Sequence, residues 1–345
     1  MRRAVAPGRV NLIGDHTDYQ DGWCLPMAID RSAAVSVSPR TDGRVRARSE
    51  DFAGTVDLPA DGTAVVATVE SEWGRTVAAA LTVLAEAGRA PVGADLMIRS
   101  SVPVGSGLSS SAAVGVAVTM ALADAAAFPA LGPDLARIAQ SVEHRASGVP
   151  CGIMDQLASV SGLADHALLL DCRSLTVTPV AIPPEAVFVV VHSGEPRRLV
   201  DSAYAARRAA CEEAAAVLGV ATLRDASFAA VSHLPFARHV VSENLRTLAF
   251  ADALRDGDLD RCGSLMLESH GSLRDDFGVS TVRLDELVVA LMGAGAFGAR
   301  LTGAGFGGCV VGLFDPGRAA IAAERFGGFV VRAADGARIV TEEDT

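Results

Sequence analysis

The stretch that most constrains this chain runs from Ser101 to Ala113: Ser-Val-Pro-Val-Gly-Ser-Gly-Leu-Ser-Ser-Ser-Ala-Ala. Before it, Val92–Ser100 reads as a strand. After it, residues 112–127 are rich in Ala, Val, Leu and Met, contain no proline and read as a helix. Glycines, hydroxyls and a helix N-terminus in succession can aim backbone N–H groups and partial positive charge at one anion. The pattern reads as a phosphate cradle; the plainer alternative is a strand–helix connection with Ser109 or Ser110 as N-cap. A Walker loop is excluded, because it needs a lysine and every basic residue of the chain is arginine. The same absence excludes the protein-kinase fold. A dinucleotide fingerprint fails too, since Ser110 stands where its third glycine belongs.

With 345 residues, half of them hydrophobic, the chain has room for two domains and a large core. A net charge of −11 argues against nucleic acid or an anionic membrane surface as partner. The six cysteines are scattered, with no Cys-x-x-Cys pair, and read as reduced and structural. No apolar run is long enough to span a bilayer, and the N-terminus lacks the apolar core of a signal peptide. The expectation is a cytoplasmic protein.

The first segment, Ala6-Pro-Gly-Arg-Val-Asn-Leu-Ile-Gly-Asp-His-Thr-Asp-Tyr19, combines a short buried strand around Val10, Leu12 and Ile13 with a polar turn. Asp15, His16 and Asp18 on one turn suit a polyhydroxylated ligand such as a sugar. They also suit a solvated acidic turn. Residues 72–88 and 133–146 read as helices, and Trp73 as a core residue or part of an adenine pocket. Glu143 falls at the edge of an apolar stripe, as a Mg²⁺ ligand or a surface glutamate. Asp155 falls near a helix start, as an N-cap or a catalytic base. Strands are expected at 28–39, 45–58, 166–171 and 186–192. Helices are expected at 200–218, 240–255, 258–275 and 284–292. Gly303, Gly305 and Gly308 match G-x-G-x-x-G, but a strand (309–314) follows, so they mark close backbone approach instead of a dinucleotide site.

Three motifs stand in order: Gly8–Tyr19, Pro103–Ala113 and Leu301–Gly308. Together with Pro150-Cys-Gly-Ile-Met-Asp-Gln156, His166–Ser174 and Glu268–Asp276, they resemble the GHMP kinase superfamily and, within it, the galactokinases, over nearly the whole chain. The resemblance implies an α/β (α+β) fold of two domains, divided at 1–185 and 186–345, with the active site between them. It implies a monomer that phosphorylates the anomeric hydroxyl of D-galactose from ATP with Mg²⁺. Carried over by position, Asp155 is the base and Arg9 its neighbour. Asp15, His16, Thr17, Asp18, Gly152 and Tyr204 take the sugar. Gly105, Ser106, Gly107, Leu108, Ser109, Ser110 and Ser111 wrap the ATP phosphates. Ser111 and Glu143 hold Mg²⁺.

Three departures matter. The family usually has glutamate at Asp15 and often glycine at Ala304, and relatives carry a longer segment before the first motif. Asp15 keeps a second reading open, a related sugar-1-kinase for a different sugar. A silent sugar sensor is a third reading; such relatives lose residues from the serine–alanine part of the loop, and Ser110, Ser111, Ala112 and Ala113 are all present here.

Overall fold

The computed structural model describes residues 2–195 and 200–341, without the side chains of residues 200–202. In chain order, the first half contains β1 (Arg2–Asn11), β2 (Trp23–Cys24), β3 (Pro26–Arg40), β4 (Arg44–Ser49), β5 (Thr55–Pro59), α1 (Glu72–Glu86) and β6 (Gly93–Ser100). It continues with α2 (Ser110–Ala125), α3 (Gly132–Ser147), α4 (Met154–Ser161), β7 (His166–Asp171) and β8 (Thr176–Ala181). The second half contains β9 (Val187–His192), α5 (Val200–Leu218), α6 (Phe228–Val231), α7 (Pro235–Asp256), α8 (Leu259–Asp275) and α9 (Val282–Gly293). It ends with β10 (Gly298–Thr302), β11 (Cys309–Phe314), α10 (Pro316–Arg325), β12 (Phe329–Val331) and β13 (Arg338–Val340).

Three sheets organise these elements, in the orders β13-β1-β3-β6-β4-β5, β10-β11-β9-β12 and β2-β7-β8. All neighbours are antiparallel except β4 and β6. α2 explains the packing of the first half. It is apolar almost all round, so it has no face for solvent and lies buried, with β1 and β3 on one side and α1 and α3 on the other. The last strand, β13, returns to pair with β1. One core runs from the first sheet to Phe188, Phe250 and Leu313 in the second half, and a second core gathers Phe277, Leu301 and Phe314.

Two expectations change. The strand expected around Val10–Ile13 is β1, which ends at Asn11 and extends back to Arg2; Leu12 and Ile13 lie past its end but stay buried. The single stretch 45–58 is a hairpin, β4 and β5. Trp73 packs against the first core as a partly buried side chain, while its neighbour Glu72 faces the cavity described next. Among the described residues no helix is long and apolar enough to cross a membrane.

The detail of this fold that positions the site is a register shift in β1 between Pro7 and Arg9. The shift presses Gly8 against the Ser101–Ala113 loop. A Cβ on Gly8 would lie 2.7 Å from the Leu108 carbonyl oxygen, and the Arg9 N–H donates to that oxygen at 3.0 Å. Arg9 is thereby delivered to the loop.

Candidate active site

A cavity of about 410 Å³ opens where β1, the loop before α2, the start of α4 and the turn after β10 converge. Arg9 and Asp155 form its centre. Arg9 is buried, and its Nε and Nη2 both reach Asp155 Oδ1, at 2.9 and 2.8 Å. Its Nη1 donates to the Gly107 carbonyl at 2.5 Å. The other oxygen, Asp155 Oδ2, accepts the Ser109 hydroxyl at 2.5 Å. α4 begins at Met154 with Ile153 as N-cap, so Asp155 is not the cap; its carboxylate turns away from the helix end toward Arg9 and the cavity. Ser109 holds a left-handed conformation (φ 60°) that few non-glycine residues adopt, which points its hydroxyl at Asp155 instead of capping α2.

The loop between β6 and α2 follows. Gly105 and Gly107 are left-handed (φ 71° and 83°), as the turn requires. Ser109, Ser110, Ser111 and Ala112 line the cavity at the first turn of α2, where backbone N–H groups have no partner within the helix. Two loop residues turn away. Leu108 is in the core, and the Ser106 hydroxyl donates to the Pro103 carbonyl at 2.6 Å, bracing the turn from inside. Opposite, the Ser111 hydroxyl donates to Glu143 Oε1 at 3.0 Å, and Gln156 Nε2 donates to Glu143 Oε2. Burial, and then the charge of Asp155, push the Glu143 carboxyl up to about 7.

These two groups fit a divalent cation. A carboxylate and a hydroxyl are hard oxygen donors, and two carboxylates in one partly desolvated corner lack a compensating positive charge beyond Arg9. Among the described residues no group of three or more His, Cys, Asp and Glu forms a metal cage.

The acidic turn forms the other wall. Asp18 lies against Gly152 so closely that a Cβ on Gly152 would fall 1.8 Å from Asp18 Oδ2. Burial, and then Asp155, push the Asp18 carboxyl up to about 6. Tyr204, near the start of α5, lines the same wall, with its ring centroid 5.7 Å from that of His16. His16 is buried, and its pKa is pushed down to about 3 by burial and by neighbouring cationic groups, so the ring is neutral. Its Nε2 lies 3.3 Å from the Ala304 carbonyl, which can only accept, so Nε2 carries the proton; Nδ1 accepts from the Tyr19 hydroxyl at 3.0 Å. The Thr17 hydroxyl does not reach the cavity, because it is held by the Gly14 and Trp23 carbonyls at 2.9 and 2.8 Å.

Asp15 borders the cavity but is anchored behind it. Oδ1 accepts the Gly303 N–H at 3.0 Å, and Oδ2 accepts Arg300 Nη2. Nothing local in the sequence singles out Arg300, Glu243, His239 or Gln156. A lone arginine or glutamate in a strand or helix reads as a surface residue, and only tertiary placement shows these to be buried.

The chain is similar to known proteins over nearly its whole length. Residues 2–39 match the galactokinase galactose-binding signature, 75–163 the GHMP kinases N terminal domain and 250–331 the GHMP kinases C terminal domain. A galactokinase of Chloroflexus aurantiacus is 47% identical over 355 aligned residues, covering 99% of this chain and 89% of that protein. The chain belongs to the galactokinase family. A second relative in that family, a galactokinase of Roseiflexus sp., is 47% identical over 90% of this chain and 82% of its own. The crystal structure of Lactococcus lactis galactokinase complexed with galactose superposes with a TM-score of 0.90 at 30% identity, covering 98% of this chain and 94% of that one. A mevalonate kinase superposes with a TM-score of 0.71 at 18% identity and shares the fold. The two-domain α/β galactokinase architecture expected from the sequence is therefore correct.

Proposed function

We propose that this chain transfers the γ-phosphoryl group of ATP to the anomeric hydroxyl of D-galactose, with Asp155 as base. The observation that carries this reading is the Ser109 hydroxyl on Asp155 Oδ2. It marks the position from which a hydroxyl donates to that oxygen, at the edge of the cavity. A sugar hydroxyl presented in its place gives its proton to Oδ2 as its oxygen attacks phosphorus. Arg9 holds Oδ1, fixes the carboxylate and adds positive charge where the phosphoryl group passes.

Gly105, Gly107 and Ser109–Ser111, with the first N–H groups of α2, receive the ATP phosphates. Ser111 and Glu143 would hold Mg²⁺, which neutralises charge on the phosphates. Asp18, Gly152 and Tyr204 form the sugar wall, with Asp15 and His16 at its back. Residues 1–185 then supply the base, the loop and the acidic turn, and 186–345 add Tyr204 and support the turn from behind. Phosphoryl transfer depends on positioning and charge neutralisation more than on covalent chemistry, so an active site without lysine is sufficient.

ADP release with ATP and Mg²⁺ tests the reading against a panel of galactose, N-acetylgalactosamine, galacturonate, arabinose and glucose. Galactose is expected to be the best substrate. A clear preference for another sugar would keep the mechanism and overturn the substrate.

A further inference from the structure

The acidic turn has an unusual support. Gly14 (φ 95°) and His16 (φ 65°) are both left-handed, a combination that local sequence does not maintain by itself. The contacts that hold it come from the other half of the chain. Glu243 Oε1 accepts the Gly14 N–H at 3.0 Å, and His239 Nε2 donates to the Asp15 carbonyl at 3.1 Å. Arg300 Nη1 donates to the Asn11 and Leu12 carbonyls at 3.3 and 3.2 Å, and Nη2 pairs with the Asp15 carboxylate. Arg300 has no exposed surface, nor does Glu243, whose Oε1 lies 3.8 Å from Arg300 Nη2 and whose Oε2 accepts Arg246 Nε at 2.8 Å. Two anions and two cations balance in this buried lattice. None of Arg300, Glu243 and Arg246 lines the cavity.

We propose that Arg300 and Glu243 are positioning residues for sugar recognition: from behind the cavity they fix the backbone of the Gly14–Asp18 turn and hold Asp15 back from the open space. The proposal rests on the galactokinase reading above. It assigns part of the chain's sugar affinity to β10 and α7, elements with no residue lining the cavity. Arg300 is matched to this task because one planar fork serves a carboxylate and two carbonyls at once, which a lysine ammonium cannot do in the same directions. The lattice is also separate from the catalytic corner. Arg9, Ser109 and Asp155 are held by β1, the phosphate loop and α4, and none of them bonds to Arg300 or Glu243.

The test is steady-state kinetics of the full chain with Arg300→Lys and Glu243→Gln, each varied in galactose and in ATP, with thermal unfolding of both variants. Both keep an amphipathic side chain of similar length; truncation to alanine risks an unfolded product. Expected is a rise of about 10- to 100-fold in KM for galactose, with kcat and KM for ATP within about threefold, because hydrogen bonds to charged partners are lost behind the sugar wall alone. Equal losses in galactose KM, ATP KM and kcat would mean general support of the fold and would overturn the proposal, as would variants indistinguishable from the native chain. If the native chain itself fails to turn over galactose, the galactokinase reading falls and the sugar-positioning claim falls with it. A native chain active on galactose with unaffected variants removes only the positioning claim.

Discussion

The two walls of the cavity are built on opposite plans. The wall proposed to take phosphate is made of first-half residues on a glycine loop, two helix starts and the last turns of α3, with Asp155 and Glu143 partly open and the Ser109 and Ser111 hydroxyls among their partners. The sugar wall is a buried turn whose groups are nearly all engaged inside the protein: His16 with Tyr19 and Ala304, Thr17 with two carbonyls, Asp15 with Gly303 and Arg300. The difference follows from the tasks proposed for them. A wall that meets a mobile polyphosphate needs free donors and exchangeable hydroxyl partners. A wall that distinguishes one sugar from another needs a fixed shape, and a shape is fixed by satisfying every group behind it.

The comparison breaks most visibly at Asp155. Asp155→Asn removes the proton acceptor and keeps the volume, so kcat is expected to fall by about 10²–10⁴-fold, measured by ADP release at saturating galactose. A smaller but sharper effect comes from Gly152→Ala. The added methyl would occupy the position of the Asp18 carboxylate, 1.8 Å away, and must displace it. We expect KM for galactose to rise about 10- to 100-fold, with a stability loss of about 1–3 kcal/mol in chemical denaturation.

Acid should act on the sugar wall through Asp18. Its carboxyl is raised to about 6, so it gains a proton as pH falls through that value and then stops accepting sugar hydroxyls. Galactose binding measured by calorimetry is expected to weaken by up to about tenfold per pH unit below that point, and Asp18→Asn should flatten the profile. The smallest effect is expected from Ser109→Ala, which removes one neutral donor from Asp155. A loss of about three- to tenfold in kcat, with galactose affinity unchanged, would place Ser109 on the phosphate wall alone. A change confined to sugar affinity would blur the two walls.

The phosphate wall was the more legible of the two in the sequence. Its signals are local: glycines before serines before an apolar helix, and an acidic residue at the start of α4. Even there, only the fold shows that Leu108 and Ser106 face inward, because a loop's sequence does not say which of its side chains closes the core beneath it. The Gly303–Gly308 run signals close backbone approach, and the fold realises it: Gly303 presents its N–H to Asp15, and a Cβ on Gly305 would lie 2.5 Å from the Val279 carbonyl oxygen. What that run approached was hidden. Arg300 lies immediately before the leucine–threonine–glycine motif in a strand of five buried residues, and its hydrogen-bond partners are more than 280 positions away in the chain. Ion pairs of that separation have no periodicity to read. β13 was hidden for a similar reason: three residues carry too little pattern to announce a strand that pairs with the chain's first.

The separation of the two walls is tested most directly by titrating the Asp155→Asn chain with galactose in a calorimeter, beside its single-turnover rate. The account predicts a Kd within about threefold of the native value together with a rate reduced by about a hundredfold or more. A Kd weakened as much as the rate would contradict it, because Asp155 would then be holding the sugar and not only taking its proton.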